Sequence, residues 1–132
     1  MKLVSPDFKG KNAGHYSPGV VSKGTLYISG QLSIDMDTRL VPEGGVQAHM
    51  TCALHNMERV LNEAGLTRDN VGQCRIYISD IGDWDQVNDV YSDFFGSHTP
   101  ARIIVPVYKL HFGCLVEIEA VAEFPDNGYP AK

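Results

Sequence analysis

The stretch Val46-Gln47-Ala48-His49-Met50-Thr51-Cys52-Ala53-Leu54-His55-Asn56-Met57-Glu58-Arg59-Val60-Leu61-Asn62-Glu63-Ala64-Gly65 decides how the chain folds. Val46, Met50, Ala53, Met57, Val60 and Ala64 recur at steps of three and four, and Leu54 and Leu61 widen the stripe. That is the period of a helix with one apolar face. Gly65 stands where a left-handed C-terminal cap belongs. The helix spans about residues 46–64, and its Met50/Met57 stripe is core packing. On both sides the period drops to two. Upstream, residues 19–31 read as a hairpin: Val20 and Val21, the turn Ser22-Lys23-Gly24, then Thr25 to Ser29 with Leu26 and Ile28 on one face. Downstream, Cys74-Arg75-Ile76-Tyr77-Ile78-Ser79 alternates in the same way.

A second helix starts near Asp83, an N-cap candidate with Gln86 in capping-box relation. Val87, Tyr91 and Phe94 form its stripe, and Gly96 its stop. Two further strands follow, about 102–109 and 114–123. The order β-β-α-β-α-β-β predicts an α+β domain whose two helices cover one face of a sheet. One domain spans 1–132, with a core of about 12–124. The first dozen residues form a loose or edge element, and the turn-rich tail 125–132 lies outside the core. In the strand after Pro100, Ile103, Val105 and Val107 share one face, and Ile104 and Pro106 lie beside Arg102 on the other. Two helices cover only one apolar face, so the remaining one predicts a homo-oligomer with Arg102 near the subunit boundary. Pro106 cannot donate to a ladder and marks an edge or a bulge.

Composition narrows the function classes. The 132 residues are 43% hydrophobic and 20% charged, with a net charge of −5 from 11 basic and 16 acidic residues. No basic stripe is present to displace counterions from a nucleic acid. No apolar run approaches the roughly 20 residues that span a bilayer. The N-terminus lacks an apolar signal core, so cytoplasm is the expected location. Cys52, Cys74 and Cys114 are too scattered for a disulfide framework or a zinc site, and read as small buried hydrophobes. His49 and His55 point to different helix faces, and no metal site is expected.

Chemistry concentrates on Arg102. A guanidinium opening an apolar, β-branched run needs a fixed partner, and a bidentate carboxylate fits it best. Two readings stand: a receptor for a small carboxylate, or a structural ion pair with Glu117 or Glu119. Glu117 and Glu119 share side-chain parity, and residue types do not separate them. Ser29 has no Ser-His-Asp arrangement around it. His98, just before Pro100, reads as a residue that settles the turn.

Several stretches, taken in order, resemble the Rid family (reactive intermediate deaminases, also called the YjgF family). They are Tyr16-Ser17-Pro18-Gly19, Leu26-Tyr27-Ile28-Ser29-Gly30-Gln31, Asn56 through Leu66, Val87 through Phe95, Pro100-Ala101-Arg102 and Val116-Glu117-Ile118-Glu119-Ala120. The resemblance implies a chorismate-mutase-like α+β fold and a homotrimer with clefts between subunits. It also implies hydrolysis of 2-imino acids to 2-oxo acids and ammonia without a cofactor. On this basis Arg102 binds the substrate carboxylate and Glu117 positions or deprotonates water. The resemblance also places the aromatic near the N-terminus at Tyr16, the Ser-Gly-Gln turn at Ser29, Gly30 and Gln31, and the helix asparagine at Asn88. The expected substrate site is Arg102 with Tyr16, Ser29, Gly30, Asn88 and Ile104, the backbone N–H groups of Gly30 and Ile104 serving as extra donors. This chain departs from the family pattern at Ile104, where many members have a cysteine, and at Leu110-His111, where some have Leu-Pro. Two other functions compete: a non-catalytic module that binds 2-oxo acids or other carboxylates, and an endoribonuclease, which the acidic balance disfavours.

Overall fold

The computed structural model describes residues 1–10 and 14–125. Its elements are β1 (Lys2–Val4), β2 (Gly19–Ser22), β3 (Thr25–Leu32), α1 (Gly45–Glu63), β4 (Val71–Ile78), α2 (Trp84–Phe95), β5 (Ala101–Pro106) and β6 (Val116–Glu123). The strands form one sheet in the order β1-β2-β3-β6-β4-β5. The β4–β5 pair is parallel, as the α2 crossover between them requires, and the other pairs are antiparallel. Both helices lie on one face, as expected. The N-terminal segment is an edge strand, and most of the predicted tail, from residue 126, lies outside the described residues.

Local chemistry explains these elements. The hairpin turns at Lys23 and Gly24, both at positive φ, the two-residue geometry that matches the twist of its strands. Leu26 and Ile28 point into the core. In α1 the predicted stripe is buried from Val46 to Leu61. The helix closes with Gly65 N–H donating to Asn62 O (3.0 Å) and Leu66 N–H to Leu61 O (2.9 Å), the paired bonds of a Schellman cap. Asn56 is buried on α1, and its amide donates to Leu32 O (3.0 Å) and Ile34 O (2.7 Å), clamping the helix to the end of β3.

Three expectations need correction. Asp83 makes no capping bond: a 3-10 turn, Ile81–Asp83, already holds it in helical conformation, and Asp80 caps that turn by accepting from Gly82 N–H (2.8 Å). In α2 the apolar stripe includes Phe95, which is buried, whereas Phe94 is only half-buried and stacks on Arg68. The uncovered sheet face is not purely apolar. Exposed Tyr27 and Ile103 share it with an Arg75–Glu119 ion pair (2.9 Å) and Tyr77. The edge predicted by Pro106 is present, because β5 is the last strand of the sheet.

Candidate functional site

An irregularity in the β3–β6 ladder builds the first half of the site. Ile28 pairs with Ala120 but Gln31 pairs with Ile118, so Ser29 and Gly30 bulge out of register. The bulge brings the Gly30 backbone against the Glu117 side chain. A Cβ at residue 30 would lie 2.6 Å from Glu117 Oε2. Tyr16, Ser29, Gly30, Leu32 and Glu117 line a cavity of about 670 Å3 together with Arg39, His111 and Phe112.

The two acids of β6 are now distinguishable. Glu119 holds Arg75 and accepts from the Tyr77 hydroxyl (3.1 Å). Among the described residues the Glu117 carboxylate has neither a hydrogen-bond nor an ion-pair partner. Burial pushes its pKa above the ordinary glutamate value, and the Glu119 charge adds to this; His111 opposes it. A partly desolvated, unpaired carboxylate with a raised pKa is a group available to handle protons.

Arg102 occupies different ground. It pairs across β4 with Cys74, whose row faces the helices, whereas Glu117 pairs with Tyr77, three residues further along β4 and on the opposite face. The Arg102 guanidinium donates to Asn88 Oδ1 (2.8 Å) and lies over the rings of Tyr91 (4.8 Å) and Trp84 (5.5 Å). No acid of the described residues pairs with it, so the structural ion pair with Glu117 or Glu119 is ruled out. Asn88 and two aromatic faces leave the positive fork oriented without neutralising it. Beside it lies a second hollow of about 350 Å3, lined by Tyr91, Ser92, Phe95 and the 96–100 loop. Ile104 follows on the same strand and face, opposite Ile76 and partly buried.

The predicted residues thus form two groups on opposite faces: Tyr16, Ser29, Gly30 and Glu117 around one cavity, Arg102, Asn88 and Ile104 at the β5 edge. Ser29 donates to Ser17 O (2.6 Å), and buried Gln31 donates to Ser29 O (3.0 Å); both shape the bulge. His98 bonds Val71 O through Nε2 (2.7 Å) and pins the turn, as expected. Cys74 and Cys114 are buried, and burial raises the thiols of Cys52 and Cys74 to about 11. They are poor nucleophiles. Sequence reasoning missed Arg39 and gave no role to His111 or Phe112. Arg39 and Phe112 adopt φ near +60°, which no residue pattern announced, although His111 had stood out as a departure.

Comparison with known proteins agrees with this architecture. A family model described as Endoribonuclease L-PSP matches residues 9–124. The human 2-iminobutanoate/2-iminopropanoate deaminase is 39% identical over 109 residues, which cover 83% of this chain and 80% of the human protein. A Rid-family protein from Yersinia pestis superposes with a TM-score of 0.88 at 35% identity, covering 93% of this chain and 98% of that one. Escherichia coli TdcF, solved with bound serine, gives a TM-score of 0.88 at 28% identity, covering 95% and 100%. The expected α+β fold, with both helices on one face of a mixed sheet, is therefore the fold of these relatives. By the extent of these matches, the chain belongs to the Rid (YjgF) family, whose family model carries the description Endoribonuclease L-PSP.

Proposed function

We propose that this chain is a 2-imino acid deaminase that hydrolyses reactive imines to 2-oxo acids and ammonia, in sites shared between neighbouring subunits of a homotrimer. One observation carries the reading. Arg102 is held by Asn88 without an acid partner, on the sheet face opposite the unpaired Glu117. A substrate needing both groups draws Arg102 from one copy and Glu117 from the next. Relatives named as 2-iminobutanoate/2-iminopropanoate deaminases support the reaction class.

The chemistry follows from these groups. Arg102 grips the substrate carboxylate through two parallel hydrogen bonds and fixes the protonated imine carbon. Glu117 takes a proton from water as its oxygen adds to that carbon. It returns the proton to nitrogen, and as the C–N bond breaks and ammonia leaves it takes the hydroxyl proton of the adduct, so that the carbonyl forms. That proton, which balances the one the imine nitrogen brought, is then released to water. The sum is one imine plus one water giving one 2-oxo acid plus one ammonia. Imines hydrolyse unaided in water, so a modest barrier reduction suffices, tenfold for each ~1.4 kcal/mol.

The test generates 2-iminobutanoate with an amino-acid oxidase and traps surviving imine with semicarbazide. The wild type lowers the trapped fraction, and Arg102→Ala does not. Glu117→Gln loses turnover while still binding 2-oxobutanoate. A wild type that binds 2-oxobutanoate yet leaves imine decay unchanged defeats the proposal in favour of a carboxylate-binding module.

A further inference from the structure

We infer that Arg39 is a second anion receptor in the Glu117 cavity, and that the preferred substrates are 2-imino acids carrying a second, distal carboxylate. This rests on the deaminase reading, with the substrate α-carboxylate already assigned to Arg102.

Three observations converge on Arg39. It lines the large cavity together with Glu117, and it also lines a small chamber of about 50 Å3 behind it; Tyr16, Gly30 and Leu32 border both spaces. Its guanidinium has no hydrogen-bond or ion-pair partner among the described residues, while its own backbone N–H is satisfied by Asp35 O (2.8 Å). Its position is also built rather than incidental. The φ of Arg39 is +63°, a region that favours glycine. Its aliphatic stem lies on the Gly10 backbone, where an added Cβ would sit 2.6 Å from Arg39 Cδ and would also run into the Met36 carbonyl oxygen. A bulky cation kept in an unfavourable conformation on the wall of a cavity, with its fork unpaired, has the form of a ligand-binding residue.

A second lining residue repeats the pattern. Phe112 has a φ of +60°, and its ring stacks on His111 with centroids 3.7 Å apart. His111 is the neighbour whose electrostatic influence opposes the raised pKa of Glu117. Apart from Lys23 in the hairpin turn, these two residues are the non-glycine positions at positive φ among the described residues, and both line this cavity. The cavity therefore presents one carboxylate for the water and one exposed, unpaired guanidinium, with His111 close to that carboxylate. A short aliphatic side chain leaves the Arg39 fork unused. A distal carboxylate pairs with it bidentately. The imines that fit are 2-iminosuccinate and 2-iminoglutarate, products of the oxidation of acidic amino acids.

The experiment compares kcat/KM for 2-iminosuccinate, made in situ from aspartate by an amino-acid oxidase, with that for 2-iminobutanoate. The wild type prefers 2-iminosuccinate by about tenfold or more, and Arg39→Gln loses about ten- to hundredfold on it while 2-iminobutanoate changes less than twofold. Arg39→Gly relieves the backbone and melts no lower than the wild type, which separates loss of binding from loss of fold. Equal losses on both substrates, or a wild-type preference for 2-iminobutanoate, overturn the inference. If no imine is turned over, the deaminase reading fails by itself, and calorimetry with oxaloacetate and 2-oxobutanoate still decides the role of Arg39. Tighter binding of oxaloacetate that disappears in Arg39→Gln upholds it, and indifference to the substitution overturns it.

Discussion

Replacing Gly30 by alanine moves the proposed base without touching it chemically. Gly30 is outside the positive-φ region, so alanine meets no backbone strain there. The added methyl carbon lies 2.6 Å from Glu117 Oε2 and 3.2 Å from its Cδ. A carbon–oxygen contact needs roughly 3.3 Å, so the carboxylate must retreat by about 0.7 Å. It can do so, being the end of a flexible side chain with no bonds to break. A misplacement of about 1 Å at a reacting group costs up to about a hundredfold, so kcat should fall by about ten- to a hundredfold. That is a barrier increase of about 1.4–2.7 kcal/mol. KM should change little, because in the proposed mechanism Arg102 and not Glu117 grips the substrate. Stability should stay near that of the wild type, since alanine restricts the unfolded chain by about 0.4–1 kcal/mol and the Glu117 shift works against this. The assay is imine trapping under saturating conditions, with a thermal melt as control. Adding Gly30→Ala to Glu117→Gln should cost nothing more, because the group it displaces is already disabled. A folded Gly30→Ala protein with kcat within twofold of the wild type refutes the reasoning.

Two further outcomes follow from buried ionisable groups. Burial raises the folded-state pKa of Glu117 above 4.5, so the native state holds its proton more tightly than the unfolded chain, and its ionisation costs stability as pH rises from 4.5 through the raised value. Glu117→Gln should therefore melt higher than the wild type at pH 7, and the difference should vanish when melts are run below pH 4.5. His49 is buried, with Nδ1 accepting from Leu115 N–H (3.1 Å) and the Ser33 hydroxyl (2.7 Å), and burial lowers its pKa below 6.5. His49→Ala should cost roughly 2–4 kcal/mol by urea denaturation. The wild type should lose stability as pH falls below 6.5, because the unfolded chain then binds the proton more readily, and the variant should lack that component.

The parts of the fold legible in the sequence are those written in local periodicity. The α1 stripe, the hairpin alternation and the parity of Arg102 within its strand needed only near neighbours. The insertion of β6 between β3 and β4 is a long-range pairing, and no pattern within any one segment announces it. That pairing sets the Ser29–Gly30 bulge against Glu117 and Arg75 against Glu119. It therefore separates two acids that look equivalent along the chain. Arg102 and Glu117 were readable as residues, but their placement on opposite faces depends on the β4 register. Arg39 was invisible because its importance lies in a backbone angle and in contact with Gly10, neither of which leaves a spacing signature.

The central claim is that Arg102 and Glu117 act together but come from different subunits. Its most direct test is complementation: Arg102→Ala and Glu117→Gln proteins are assayed separately, then unfolded, mixed in equal amounts and refolded together. In a ring of copies each site takes Arg102 from one subunit and Glu117 from its neighbour, so random mixing restores about a quarter of the sites. The account predicts two inactive parents and a mixture with about a quarter of wild-type imine hydrolysis. A mixture as inactive as its parents, although it co-assembles, contradicts it.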